Sequence, residues 1–398
     1  MSNVTNLKPA ARDLLAGIRI IDTDTHFSEP WDLWTSRAPA KFKDRVPRVG
    51  KLKDSDEIKW IIDDGQMLAS NCGHSAILRD GTKTGGFSFY GRDVHQAPDA
   101  ANQVAARLEL MDAQGIYAQI VYPNVLGFGG QSGQGVDEEL RCVSMAIFND
   151  AMAEMQAQSG NRIFPMTMLP WWDVDKSVAE LERGAKMGLR GVNISSDPHD
   201  YPGLPPLCDP HWQRLFEACV ANAMPVNFHI GGSNSANSWF TTGSWPGFSP
   251  NVNLTMGGAM LLSGNLRVLG NILISGMLDN YPGLKIVSVE SGVGWIPYLL
   301  EVLDYMMAEN GVSHSRPMKQ IFHEHVYGCT FFERDSLIAT VAQLGADNIM
   351  FETDFPHPAC LYPEPFEFLA DTIARLTAEE RFKIFSGNAA KLYNIDIS

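Results

Sequence analysis

The chain has 398 residues, 45% of them apolar, and a formal net charge of -15. That length buries a substantial core, in two domains or one decorated barrel, and the acidic balance without a Lys/Arg run excludes a nucleic-acid or anionic-membrane partner. Six cysteines (Cys72, Cys142, Cys208, Cys219, Cys329, Cys360) lack CxxC spacing, which suits reduced thiols better than a disulfide scaffold or a zinc–thiolate site.

Met1 to Gly17 has no apolar stretch after its few basic residues, and no window approaches the length needed to cross a bilayer, so a cytoplasmic protein with no membrane partner is expected. Eight short β-rich runs then alternate with helical patterns. The first, Ile18 to Asp24, continues to His26. In a strand the residues i and i+2 share a face, so Asp24 and His26 converge on one point, as metal ligands do. An excursion over residues 27–98 follows, with a hairpin across Ile58 to Leu68 turning at Asp63-Asp64-Gly65. The helical segment Ala101 to Gln114 leads into strand Ala118 to Tyr122, then helix Glu138 to Ala157 and strand Phe164 to Leu169. Helix Val174 to Met187, strand Gly191 to Ile194 and helix His211 to Asn222 come next. Asp173 and Asp209-Pro210 are placed to open helices, and Gly188 and Gly345 to end them. Strand Pro225 to His229 ends in an imidazole. A second excursion, residues 230–256, is rich in Gly, Ser, Asn and Trp and precedes a helix over Ala259 to Asn280. Strand Lys285 to Val289, helix Trp295 to Met307, strand His325 to Cys329, helix Arg334 to Leu344 and strand Asn348 to Glu352 complete the series.

This alternation predicts an α/β fold, a (β/α)8 TIM barrel of one domain over residues 1–398, with insertions at 27–98 and 230–256 after strands one and five. Three strand ends far apart in sequence present Asp24 with His26, His229, and Asp354. A parallel barrel gathers such ends at one face. Both insertions leave the C-terminal ends of strands, where active-site loops arise.

Asp24-Thr25-His26-Phe27-Ser28-Glu29-Pro30, Arg107 to Ile116, His229, Glu290-Ser291-Gly292-Val293-Gly294-Trp295-Ile296-Pro297, Asp354-Phe355-Pro356-His357 and Gly387 to Tyr393 occur in an order and spacing that resemble the amidohydrolase-related branch of the amidohydrolase superfamily. That branch includes aminocarboxymuconate-semialdehyde, γ-resorcylate and 5-carboxyvanillate decarboxylases and some C–C hydrolases. The resemblance implies a TIM barrel with one divalent metal, zinc or manganese, and a homodimer or homotetramer. It assigns Asp24, His26, His229 and Asp354 to the metal, although many members have His or Glu where this chain has Asp24. A carboxylate there favours a harder ion. It also shows a departure: the aromatic decarboxylases carry a His at the strand-six position occupied here by Glu290, and Val293 falls near where their Glu stands. Glu290 is then an acid/base beside the metal or a carboxylate that orients His26 or His229.

The reading that follows is nonoxidative decarboxylation of an aromatic or ring-derived carboxylic acid, with Asp354 or Glu290 delivering a proton and His357 contacting the substrate carboxylate or a metal-held water. The alternative is hydrolysis of a C–C, ester, lactone or amide bond, with Asp354 as base. A noncatalytic barrel is a third reading, which the convergence of ligand types opposes. Glu29 either anchors a network behind the metal pair or caps the Trp31 segment. His74 and His95 are candidates for the pocket, as are the aromatics Trp239, Phe240, Trp245 and Phe248. His323 and His325, and Arg107 with Asp112, are read as structural.

Overall fold

The computed structural model describes residues 11–69, 72–89 and 94–398. Residues 1–10, on which much of the N-terminal reading falls, and positions 70–71 and 90–93 of the first excursion lie outside the described residues. Strands are numbered along the chain. β1 (Ile20–His26), β5 (Ile116–Tyr122) and β6 (Ile163–Pro165) form one parallel sheet in the order β1-β5-β6. A second parallel sheet runs β12-β11-β10-β9-β8-β7, from β12 (Ile349–Phe351), β11 (Val326–Thr330), β10 (Ile286–Val289) and β9 (Val226–His229) to β8 (Val192–Asn193) and β7 (Thr167–Met168). The two sheets adjoin twice. β6 and β7 are one run separated only by Met166, and β1 meets β12 through Thr23 Oγ1 to the Phe351 carbonyl (2.8 Å), the Asp354 amide to Asp24 O (2.9 Å) and the His26 amide to Phe355 O (2.7 Å).

All eight expected strand runs form and are buried almost throughout, as parallel strands flanked by helices are. β1 is wholly buried although its sequence, IIDTDTH, is more than half polar. Thr25 and Asp22 are met by neighbours: Thr25 Oγ1 donates to Ile120 O (2.9 Å) and Asp22 accepts from the Thr353 amide (2.8 Å) and hydroxyl (2.7 Å). Helix starts follow the expected chemistry. Asp173 accepts from the Lys176 amide and Asp209 from the His211 amide, each satisfying a donor that a helix start leaves open. Gly188 and Gly345 follow helices with φ of +94° and +78°, a region that a side chain disfavours.

The first excursion contains the expected hairpin, β3 (Ile58–Ile62) with β4 (Gln66–Ala69), and β2 (Arg48–Lys51) extends it to an antiparallel sheet β2-β3-β4. The second, for which no element was expected, is helical over Asn234–Thr242 and from Pro250, where the helix Pro250–Leu262 starts. The single helix expected over Ala259 to Asn280 is instead Pro250–Leu262, Gly264–Ile274 and a 3-10 turn Met277–Asn280. Ser263 keeps helical angles, so Pro250–Ile274 is a 25-residue span that is apolar and long enough, by length and composition, to cross a membrane. This corrects the expectation that no window reaches that length. Its second half belongs to the fold: Val268, Leu269, Ile272 and Leu273 are buried, and Asn265 donates to Phe228 O (2.9 Å) and Val289 O (3.2 Å). His325 ends the helix Met318–His325 rather than starting a strand, and its Nδ1 lies 2.9 Å from Leu284 O. The six cysteines are free thiols.

Candidate metal centre

Four strand ends converge. β1 brings Asp24 and His26, β9 brings His229, the residue after β10 is Glu290, and the turn after β12 brings Asp354 and His357. A bulge in the β1–β5 pairing between Asp22 and Thr25 sits at this point, the kind of irregularity that re-aims side chains beside active sites. Glu290 and Asp354 have φ of 57° and 60°. A non-glycine residue held there costs about 1–3 kcal/mol, which the surrounding structure must enforce.

Asp24, His26, His229 and Glu290 each place one ligand atom within 4.8 Å of the others, and so do His26, Glu290, Asp354 and His357. His26 Nε2 lies 3.5 Å from Asp24 Oδ1, 3.6 Å from Asp354 Oδ1 and 3.1 Å from His229 Nε2. His229 Nε2 lies 3.6 Å from Asp24 Oδ2 and 3.3 Å from Glu290 Oε2. Donors about 2.0–2.2 Å from one ion stand roughly 3.0–3.5 Å apart, which is the spacing seen here. The residues therefore fit a divalent ion, and a second observation agrees: both carboxylate oxygens of Asp24 and of Asp354 are buried and accept no hydrogen bond from the protein. Buried orphans of this kind are costly unless a cation meets them. His229 Nδ1 lies 2.9 Å from Ile230 O, so it carries the proton and Nε2 keeps its lone pair for the cluster.

The electrostatics of the bare cluster show the same need. Burial pushes Asp24 and Asp354 above the ordinary carboxylate range, and like charge on Glu290 and Asp24 adds to the rise at Asp354. Glu290 is pushed up to about 7, by burial first and against the pull of His229. Glu352, fully buried behind the cluster, accepts from the Glu290 amide (3.2 Å) and is raised by burial and by Asp24. Four carboxylates in one dry site cannot all ionise alone; a divalent cation reverses that balance. Burial and the neighbouring imidazoles hold His26 and His357 below the usual histidine range. At His229 burial is outweighed by Asp24 and Glu290, and its pKa rises to about 8.

His357 joins the site through a chain that fixes its tautomer. Glu29 accepts the Asn124 and Val125 amides (2.8 and 3.1 Å) and Asn124 Nδ2 (3.3 Å), and Nδ2 also donates to Phe27 O (3.0 Å). With Nδ2 committed, Asn124 Oδ1 faces His357 Nε2 at 2.9 Å as an acceptor, so Nε2 carries the proton and Nδ1 faces Asp354 Oδ1 at 3.1 Å. Glu29 is thus a member of a network behind the metal pair, not a cap on Trp31. Asn124 escaped the sequence reading, although it stands just beyond a strand end, in Tyr122-Pro123-Asn124, by the same logic that found His229. Val293 is buried away from the cluster, its amide given to Glu333 Oε2 at 2.8 Å. Arg107, fully buried, donates to His26 O (2.6 Å) and holds the end of β1. Asp112 pairs instead with Arg162 at the surface.

Glu290 and His357 open onto a cavity of about 580 Å³ lined also by His74, Phe128, Phe240 and Leu261. His74 comes from the first excursion and Phe240 from the second. His95 packs on Trp31 (ring centroids 4.3 Å) and is not among the cavity residues, and Trp245 is 76% exposed, so neither serves the pocket as expected.

A family profile described as amidohydrolase matches residues 21–395. A γ-resorcylate decarboxylase of Polaromonas sp. (strain JS666 / ATCC BAA-500) is 27% identical over 312 residues, covering 73% of this chain and 87% of the relative. An amidohydrolase of Mycobacterium avium subsp. paratuberculosis K-10 superimposes with a TM-score of 0.73 at 21% identity, covering 95% of this chain and 99% of the other. A dihydroxybenzoic acid decarboxylase from Polaromonas sp. JS666, solved with manganese and the inhibitor 2-nitroresorcinol, superimposes with a TM-score of 0.59 at 20% identity over 95% and 98% of the two chains.

Proposed function

The chain belongs to the amidohydrolase family, and from that premise we propose that it is a metal-dependent nonoxidative decarboxylase of an aromatic or ring-derived carboxylic acid. The observation that carries the reading is the meeting of Asp24, His26, His229, Glu290, Asp354 and His357, of which Glu290 and His357 line an apolar cavity. The two relatives from Polaromonas, named as decarboxylases of γ-resorcylate and dihydroxybenzoic acid, add the reaction class. We read the eight parallel strands as one barrel and residues 1–398 as one domain, acting as a cytoplasmic homodimer or homotetramer.

Asp24, His26, His229 and Asp354 would hold one divalent ion, zinc or manganese. When bound there the ion supplies Lewis acidity toward the substrate carboxylate or an adjacent oxygen. Glu290, buried beside His229 and open to the cavity, delivers a proton to the ring carbon bearing the carboxylate. The C–C bond then breaks, carbon dioxide departs, and the bonding pair returns to the ring. Glu290 regains a proton from solvent. His357, pinned by Asn124 through its Nε2 proton, presents Nδ1 to the site as a proton acceptor, and the apolar walls keep bulk water from the reacting carbon.

A second reading has an observation of its own: Glu290 stands where the aromatic decarboxylases carry His, and a carboxylate there suits hydrolysis, with Asp354 taking the proton of an attacking water. Turnover in ¹⁸O-labelled water separates the two. Decarboxylation places a solvent proton on carbon, releases carbon dioxide and leaves the label out of the aromatic product. Label in a newly formed carboxylate without carbon dioxide would replace the decarboxylase with the hydrolase.

A further inference from the structure

The cavity that receives Glu290 and His357 is larger and less charged than a small ring acid requires. Its volume, about 580 Å³, lies inside the roughly 300–1,000 Å³ span of pockets that enclose drug-sized ligands. Among the described residues no Lys or Arg lines it. The polar groups outside the metal cluster are His74 and the amides of Asn124 and Asn237. The segment that supplies Phe240, Leu254 and Leu261 has an unusual composition: from Ile230 to Leu266 the chain contains no Asp, Glu, Lys, Arg or His. That wall has no charge with which to meet a second anionic group. Gly258 lines the same cavity from the Pro250–Leu262 helix, and a Cβ added to it would meet nothing within 4 Å, so the wall leaves room at that point.

We infer that the substrate bears a single carboxylate on an otherwise uncharged body that extends beyond one ring into this apolar cavity. The inference rests on the metal-site reading above, which assigns the one carboxylate its partner. A second carboxylate would lie against apolar walls and beside Glu290, desolvated and unpaired, a costly placement. An alkyl or aryl substituent would gain from the same walls.

The test is calorimetric titration of the manganese-loaded enzyme with 2-hydroxybenzoate and with the same ring carrying a methyl, propyl or second carboxylate group at position 4 or 5. Affinity is expected to rise roughly threefold per added carbon, so roughly thirtyfold for the better propyl isomer, while the dicarboxylates bind more weakly than the parent. Gly258→Leu, which fills the open wall, should bring the propyl-to-parent ratio close to one, with Gly258→Ala between; circular dichroism verifies that both fold. Equal affinity for propyl and parent compounds, or tighter binding of a dicarboxylate, would overturn the inference. The outcome is separable from that of the reaction: propyl compounds that bind more tightly while no member of the series releases carbon dioxide uphold this inference and refute the decarboxylase. A parent compound that is decarboxylated while propyl binds no tighter does the reverse.

Discussion

His229, Glu290 and His357 each have their aim set by a separate backbone or hydrogen-bond device, and single substitutions test them one at a time. For His229 the device is the Nδ1 bond to Ile230 O, which leaves only Nε2 for an ion. His229→Ala is expected to drop the metal content from about one per chain to near zero, with the circular dichroism spectrum unchanged; elemental analysis decides it. Glu290 is aimed by its left-handed backbone and is buried beside His229. Glu290→Gln should lower kcat roughly a hundredfold with metal content intact, and retained kcat would remove Glu290 from the reaction. Asn124 acts through His357. Asn124→Ala should cost roughly tenfold in kcat with little change in KM, a split that steady-state kinetics reads directly.

At the scale of elements, the helix Gly264–Ile274 is tied to the loop after β8 by Arg267, whose guanidinium meets Asp197 at 2.7 and 2.6 Å. Asp197 is almost wholly buried and also accepts from Ser196 and Ser233. Burial alone would raise its pKa, but Arg267 together with the Ser233 and Ser196 hydroxyls outweighs burial and holds it below the ordinary value. A depressed carboxylate means that the folded state binds fewer protons than the unfolded chain, so the stability from this pair is present at neutral pH and lost as pH falls below about 4. Arg267→Met leaves a buried carboxylate without its cation and should cost about 3 kcal/mol at pH 7. The penalty should shrink as the pH is lowered and Asp197 takes up a proton. Urea unfolding at pH 7 and pH 4 measures both, and a penalty that does not change with pH would deny the ion pair its role.

For the whole molecule, a divalent ion would join elements that sequence separates by hundreds of residues, so its loss should be felt globally. A ligand that binds only the folded state adds about 4 kcal/mol when its free concentration is a thousandfold above Kd. Chelation should therefore lower Tm by several degrees, and manganese or zinc should restore it. A Tm indifferent to chelator, in protein shown to have been loaded, would contradict a structural contribution from the site.

How much of this was legible beforehand follows from the range of the forces involved. Local pattern sufficed for the eight strand runs, for the Asp173 and Asp209 caps and for the hairpin at Asp63-Asp64-Gly65, because burial periodicity, capping and turn chemistry act within a few residues. It also singled out Asp24, His26, His229 and Asp354, which the fold brings together, since a carboxylate or imidazole at the end of an apolar run is visible without knowing its partners. Local pattern misjudged Ile230 to Asn280, because Gly, Ser and Asn weaken helix propensity whereas packing of Asn265, Val268 and Ile272 sets where the helices lie. It was equally blind to Asn124. What selects that residue is the Glu29 carboxylate, which comes from another strand end and fixes the amide so that its oxygen faces His357. The sequence by itself determined the eight buried strand runs and the residues that open the helices at Asp173 and Asp209. The tertiary structure alone decided which strand ends meet, because those contacts depend on distances in space that no spacing along the chain encodes.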